Sequence, residues 1–258
     1  MNRVYQVAQF TFRELLRSNL LIVWIVSVIA IGGLSFLLSL LSYGDVLKIF
    51  TDLGLAGTEL AGWLVLLLSL AVTYTTDMDQ KAIFLQLAKP VTRGEYLLGR
   101  VLGFFAVNLL VVLGNVAFLV FMVVVVAGGS IPPLFLPSVA FLALEMLVLT
   151  FLGLTYQMIA TTMVRVVLYT FFTMLLGRMI GEIQWLISKQ SAPLLKAVLT
   201  VVYYCLPNLQ VFDLKDRIYD PALVLGWTQW QEVLLYSFSY SAVVFLIGWI
   251  ALERREFR

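Results

Sequence analysis

Charged residues are concentrated in one segment, from Asp77 to Arg100, between two long apolar segments. Residues 60–76 carry no charge, and neither do residues 101–144. The seven charges of the segment are Asp77, Asp79, Lys81, Lys89, Arg93, Glu95 and Arg100. A polar loop between two membrane helices is a surface that a soluble protein can bind. We therefore predict that loop 77–100 is a docking site rather than a catalytic one.

The first half of this loop has the pattern of a short helix. Between Asp79 and Ala88, the apolar residues Ile83, Phe84 and Leu87 fall on one helical face. Pro90 disfavours helix at Lys89 and predicts the end of the helix there. An apolar face outside the membrane requires lipid, the protein's own helices or the groove of a partner protein.

The second half of the loop predicts the start of the next helix. Thr92 and Glu95 have the spacing of a capping box, in which each side chain accepts a hydrogen bond from the other residue's backbone. This pattern alone accounts for Glu95 and the neighbouring Arg93 as structural residues. A functional role for them depends on what binds the loop.

Common catalytic and metal-binding patterns are missing from the sequence. It has one cysteine, Cys205, and no histidine, so neither an internal disulfide nor the usual Cys/His zinc site can form. The glycines of Gly94–Val101 have P-loop spacing but lack the Lys-[Ser/Thr] ending. We expect no metal, no bound cofactor and no ATP hydrolysis by this chain. A membrane enzyme would need clustered acids, histidines or a nucleophile near one interface, and the sequence contains no such group.

Composition places these residues in a membrane protein. Hydrophobic residues make up 62% and charged residues 12%, against about 45–50% and about 25% in soluble domains. A net charge of +2 gives no reason to expect nucleic acid. We predict an all-α integral membrane protein, with residues 1–258 forming a single transmembrane domain. The six predicted spans are 20–41, 60–76, 101–127, 137–161, 166–187 and 233–252.

Two further helices are predicted outside these spans. Residues 3–18 form an amphipathic pattern, read either as a positive-inside anchor or as an elbow helix that transmits force into the first span. The apolar segment 194–206 covers only about 20 Å as a helix, which is too short for a core of about 30 Å. It is predicted to be re-entrant or interfacial, within an outer segment at 188–230.

The distribution of lysine and arginine predicts the orientation of the spans. Eleven basic residues fall on the side that carries both termini, and six fall on the other side, which has many more residues. Both termini are therefore expected in the cytoplasm.

The sequence of the loop resembles that of ABC type-2 transporter permeases between their second and third spans. The resemblance rests on Asp77-Met78-Asp79 and on the run from Lys89-Pro90-Val91-Thr92-Arg93-Gly94-Glu95 to Leu98-Gly99-Arg100. Leu206-Pro207-Asn208-Leu209 and the terminal Arg254-Arg255-Glu256-Phe257 are similar to the branch linked to multicopper-enzyme maturation.

This resemblance implies a function and a set of partners. The chain would be the permease of an exporter in a bacterial plasma (inner) membrane, forming a homodimer that binds two copies of a separate ATPase subunit. ATP and Mg would be bound by the ATPase. The coupling loop would contact it, and the residues expected to do so are Asp79, Ile83, Phe84, Leu87, Lys89, Pro90, Arg93 and Glu95.

Polar residues inside the spans are a second set of candidates, because burying them in lipid is costly. Glu145, in the inner part of span four, is expected to face the dimer axis, to pair with Asn108 or Asn115, or to be protonated. Arg178 and Glu182 lie one helical turn apart on span five and are expected to pair with each other, with a bend of this helix as one consequence.

The sequence leaves one functional alternative open. The chain could pass ATPase-driven motion to an extracytoplasmic maturation or assembly protein without transporting a solute, with segment 188–230 as the docking surface. A wide polar path along the dimer axis would favour transport, and a sealed apolar axis would favour this mechanical relay.

Overall fold

The structure, a computed structural model, describes residues 3–18, 20–40, 46–79, 92–126, 130–190, 192–219 and 225–254. These residues form helices and short turns with no β-strand, as predicted for an all-α membrane protein. The helices are α1 (Arg3–Arg17), α2 (Leu20–Leu40), α3 (Val46–Tyr74), α4 (Arg93–Phe121), α5 (Phe135–Ile159), α6 (Met163–Arg178), α7 (Ile180–Lys189), α8 (Pro193–Cys205) and α9 (Trp227–Arg254).

Five of these helices, α2, α3, α4, α5 and α9, are long and apolar enough to cross a membrane. A sixth crossing is formed if α6 and α7 act together, although their axes meet at 64°. The five or six crossings agree with the predicted architecture. We call the end of the bundle where α3 ends and α4 begins the loop end, and the end that carries α7 and α8 the hairpin end.

The predicted bounds were wrong for span two, and span five is bent. Span two was expected at 60–76, but its helix begins at Val46 and continues through a π-helical turn at Thr75–Asp79. The prediction left the first part of this helix out of span two because it contains polar residues such as Glu59. In the structure Glu59 is buried against other helices. In span five, predicted at 166–187, the helix breaks at Met179, between the two residues for which a bend was one expected consequence.

Helix α8 confirms that the segment after span five is a short helix rather than a span. It has 13 residues, begins with Pro193 at its first turn, and buries none of its side chains in the described structure. Helices α7 and α8 pack against each other, so they form a helical hairpin at one end of the bundle.

Helix α1 packs along the first turns of α4. A side-chain carbon at Gly99 would meet Val7, and one at Gly103 would meet Thr11 and the backbone oxygen of Ala8. Glycine is needed at both positions because the two backbones approach so closely. Later residues of α1 face later residues of α4, so the two helices run in the same direction.

Candidate functional site: two buried charge clusters

The first cluster lies at the loop end and is centred on Arg100, in the second turn of α4. The side chain of Arg100 is completely buried. One guanidinium nitrogen, Nη1, donates to Oε2 of Glu14 on α1 at 3.1 Å, and Nη2 forms an ion pair with Oδ2 of Asp77. A guanidinium can bind two carboxylates at once because its donors point in fixed directions. Arg100 therefore joins α1 and the end of α3 to α4.

Two neutral residues complete this Arg100 cluster. The hydroxyl of Tyr96 donates to Oδ2 of Asp77 at 3.4 Å, and Nε2 of Gln157 donates to the same oxygen at 3.5 Å. The Tyr96 ring also lies 5.7 Å from Cζ of Arg100, within the range of a cation–π contact. Gln157 extends the cluster to α5, so four helices meet there.

The residues around the loop fix both of its ends. Asp77 lies in the π-helical turn that ends α3. After the loop, the predicted capping box is confirmed: the backbone N–H of Thr92 donates to the Glu95 carboxylate at 2.8 Å, and the Thr92 hydroxyl accepts from the Glu95 N–H. Arg93 donates from Nη1 to the backbone oxygen of Leu252 at 2.9 Å and thereby attaches the start of α4 to the end of α9.

The second cluster lies toward the hairpin end and is centred on Arg178, the last residue of α6. Its Nη2 forms ion pairs with Glu59 of α3 and, at 2.9 Å, with Oε2 of Glu145 of α5. The other oxygen of Glu145 accepts a hydrogen bond from Nε1 of Trp63 at 3.3 Å. Glu145 is fully buried, and the pairing offsets the cost of burying it.

The segment between α8 and α9 completes this Arg178 cluster. Nη1 of Arg178 donates to Oδ2 of Asp213 at 2.8 Å. Nζ of Lys215 forms an ion pair with Glu59 and lies 4.0 Å from the Asp213 carboxylate. The cluster thus contains three carboxylates and two cations, and it attaches α3 and α5 to the segment that follows the hairpin.

The predicted pair between Arg178 and Glu182 does not form. The helix breaks between these residues, and Glu182 makes no ion pair with any described residue. At the break, Nε2 of Gln210 donates to the backbone oxygen of Arg178 at 2.9 Å. Gly177 also lies against the backbone of Pro207. The predicted one-turn spacing of Arg178 and Glu182 assumes a continuous helix. Because the helix bends between these two residues, Arg178 pairs with other partners.

One of the three alternatives for Glu145, a pair with Asn108 or Asn115, does not form. Asn108 and Asn115 donate instead to backbone oxygens one turn earlier in their own helix, at 3.2 Å to Phe104 and 3.0 Å to Val111. Glu145 lies ten residues after the start of α5 and contacts the Arg178 cluster. Glu145 therefore lies nearer to the hairpin end of α5 than to its loop end, whereas it was predicted in the inner part of span four.

The two clusters are connected by the same pair of helices. Helix α3 contributes Asp77 to one and Glu59 to the other, and α5 contributes Gln157 and Glu145. The two α5 residues are about 18 Å apart along the helix. Between them the helices are packed through fully buried apolar residues such as Leu70. A displacement at one cluster is therefore constrained by contacts at the other.

Most of the predicted loop contacts fall outside the described residues: Ile83, Phe84, Leu87, Lys89 and Pro90. Asp79 ends the π-helical turn. Arg93 and Glu95 make the structural contacts described above.

Sequence reasoning did not place any of six residues in a buried ion-pair cluster: Glu14, Asp77, Arg100, Glu59, Asp213 and Lys215. For Arg100 a signal existed, because it directly precedes the long uncharged segment 101–144. The identity of each partner required the packing of helices far apart in sequence.

The ion pairs of both clusters join helices that are distant in sequence. Their ionisable groups are engaged with one another, and the described residues contain no group of three or more His, Cys, Asp or Glu residues that could hold a metal ion. No protein-family model matches the chain, and no curated protein is significantly similar to it.

Proposed function

We propose that this membrane protein is the permease subunit of an ABC type-2 transporter. In this proposal a homodimer of the chain binds two copies of a separate ATPase subunit, which bind ATP and Mg. The complex lies in a bacterial plasma membrane with both termini of the permease in the cytoplasm, and it exports a substrate. The resemblance of loop 77–100 to the coupling loop of this family is one support for the proposal.

The observation that carries the proposal is the Arg100 cluster. Asp77 and Arg100 lie on opposite sides of the loop, and their buried ion pair joins the two helices that the loop connects. Glu14 and Gln157 extend that junction to α1 and α5. A force applied to the loop would therefore act on four helices rather than on a flexible connection.

The mechanism follows from these contacts. Closure of the ATPase dimer upon ATP binding would move the helix expected at residues 79–88. The Arg100 cluster would pass this motion to α3, α4 and α1, and Arg93 would pass it to α9. Because α3 and α5 also contribute to the Arg178 cluster, the motion would reach the hairpin end. An enzymatic role of the chain itself forms no part of this mechanism.

Co-purification tests this proposal. The tagged chain would be extracted in mild detergent from its native membrane, and its stoichiometric partners would be identified. We expect a soluble subunit with a complete P-loop, at one copy per permease. Recovery of the chain alone in several mild detergents would contradict the proposal.

A specific observation also favours the relay function. A cleft of about 530 Å³ lies at the hairpin end, and its lining combines apolar residues such as Phe141 with charged and amide side chains that include Asp213, Arg217, Gln229 and Glu232. Asp213 belongs both to this cleft and to the Arg178 cluster. An extracytoplasmic protein bound there would contact the residues that the proposed motion reaches.

The two functions differ in their expected partners and products. Under the relay function, a stoichiometric extracytoplasmic protein co-purifies, and replacing Arg217 and Glu232 by alanine releases it while the ATPase subunit stays bound. Under transport, the same substitutions leave the set of partners unchanged, and ATP-dependent flux of a solute is measurable in proteoliposomes.

A further inference from the structure

A groove of about 460 Å³ lies between α1 and α4, on the outside of the bundle. Its lining includes the apolar residues Ala8, Phe12, Leu102 and Ala106, together with the polar Gln9 and Arg13. The volume is in the range of sites for small molecules, which is about 300–1,000 Å³. The groove is open, since Leu102 in its wall is 47% exposed.

The groove lies at the depth of the lipid headgroups. Helix α2 is the first apolar span, it begins at Leu20, and its Trp24 packs on Gly114 of α4. Ala106 precedes Gly114 by eight residues, which is about 12 Å along the helix. Leu20 precedes Trp24 by about 6 Å. The groove therefore lies roughly 6 Å beyond the start of α2 and beside the first turns of predicted span three (101–127), where headgroups and the first acyl carbons are found.

No described residue neutralises the charge at the rim of the groove. Arg13 is exposed and forms no ion pair with any described residue. The one acid of α1, Glu14, is directed to Arg100 instead. Arg3 and Arg17 add further positive charge to the same helix. An apolar groove with an unpaired guanidinium at headgroup depth is complementary to an anionic lipid.

We propose that this groove binds one anionic phospholipid, with its phosphate at Arg13 and its glycerol and first acyl carbons along Phe12 and Ala106. The lipid would fill the gap between α1 and α4 beside the Arg100 cluster. The proposal depends only on the membrane location of the chain and is independent of its proposed role as a permease.

Native mass spectrometry of the full-length chain tests it, with phosphatidylglycerol and phosphatidylcholine as probes. We expect one phosphatidylglycerol to bind in preference to phosphatidylcholine. Arg13→Gln is expected to weaken its binding about fivefold, which is the effect of one basic side chain at an anionic lipid surface. Arg17→Gln is the matched control, because it removes the same charge one turn further along α1 without altering the groove lining.

Ala106→Trp provides a second test that leaves the charge intact. A bulky ring in the groove is expected to prevent retention of the lipid while the chain keeps its helical circular dichroism signal. Equal binding of the two lipids, equal losses for Arg13→Gln and Arg17→Gln, or full retention of the lipid by the folded Ala106→Trp variant would overturn the proposal.

Discussion

Asp77 and Arg100 form an ion pair in which both side chains are fully shielded from solvent. The two residues bracket the loop between α3 and α4, so the pair closes that loop at its base. A buried pair of this kind adds little stability relative to an apolar pair, but it fixes one arrangement of the groups around it because a single unpaired partner is costly.

Removal of one partner of this pair should therefore be more harmful than removal of both. We expect Arg100→Met to lower the free energy of unfolding by about 3–5 kcal/mol, because Asp77 and Glu14 are left buried without a cation. The double variant Asp77→Leu/Arg100→Met should recover part of that loss. Thermal unfolding of the purified variants in one detergent measures both effects. A double variant that is less stable than Arg100→Met would contradict the assignment.

At the hairpin end, Arg178 should be much less tolerant of substitution than Glu182. Arg178→Gln leaves Glu59 and Glu145 without their shared cation, and a large loss of folded protein is expected. Glu182→Gln is the matched control, because Glu182 pairs with none of the described residues. The yield of monodisperse protein on size-exclusion chromatography distinguishes the two. Similar yields would mean that the cluster does not stabilise the bend.

Gly103 and Gly33 should respond differently to the same change. A methyl group at Gly103 would lie 2.9 Å from the backbone oxygen of Ala8, whereas one at Gly33 would meet nothing within 4 Å. We expect Gly103→Ala to cost about 1–3 kcal/mol through overpacking of α1 on α4. Gly33→Ala should be close to neutral. Comparison of the two unfolding temperatures tests this, and equal shifts would contradict the close packing of α1.

The proposed coupling contact predicts an effect on ATPase activity. Phe84→Asp/Leu87→Asp should prevent the ATPase subunit from binding, because two carboxylates would replace the apolar face of the expected helix. The control Ala82→Asp/Gln86→Asp adds the same charge away from that face and should retain binding. Pull-down and ATPase rate are the measurements. Unaltered binding and rate in the first variant would show that these side chains do not form the contact.

Much of the architecture could be predicted because lipid imposes strong constraints on sequence. A helix that faces hydrocarbon must be apolar over about 20 residues, so α2, α4, α5 and α9 are visible as apolar runs. The capping box could also be predicted, because its two residues, Thr92 and Glu95, are only three positions apart in the sequence. The prediction failed where a charged residue is neutralised by residues that are distant in the sequence. Glu59 excluded the first part of α3 from the predicted span, although Arg178 and Lys215 neutralise it.

The sequence by itself determined the class of the protein, the position of the charged loop and the amphipathic character of α1. Each of these depends on composition or on residues within one or two helical turns. Only the tertiary structure decided which charges pair. The partners of Arg100 and Arg178 lie on helices that are distant in sequence, and the break at Met179 separates Arg178 from the neighbour that helical periodicity assigns to it. Partner choice depends on helix packing, because a buried charge forms its ion pairs with the groups that packing brings within reach.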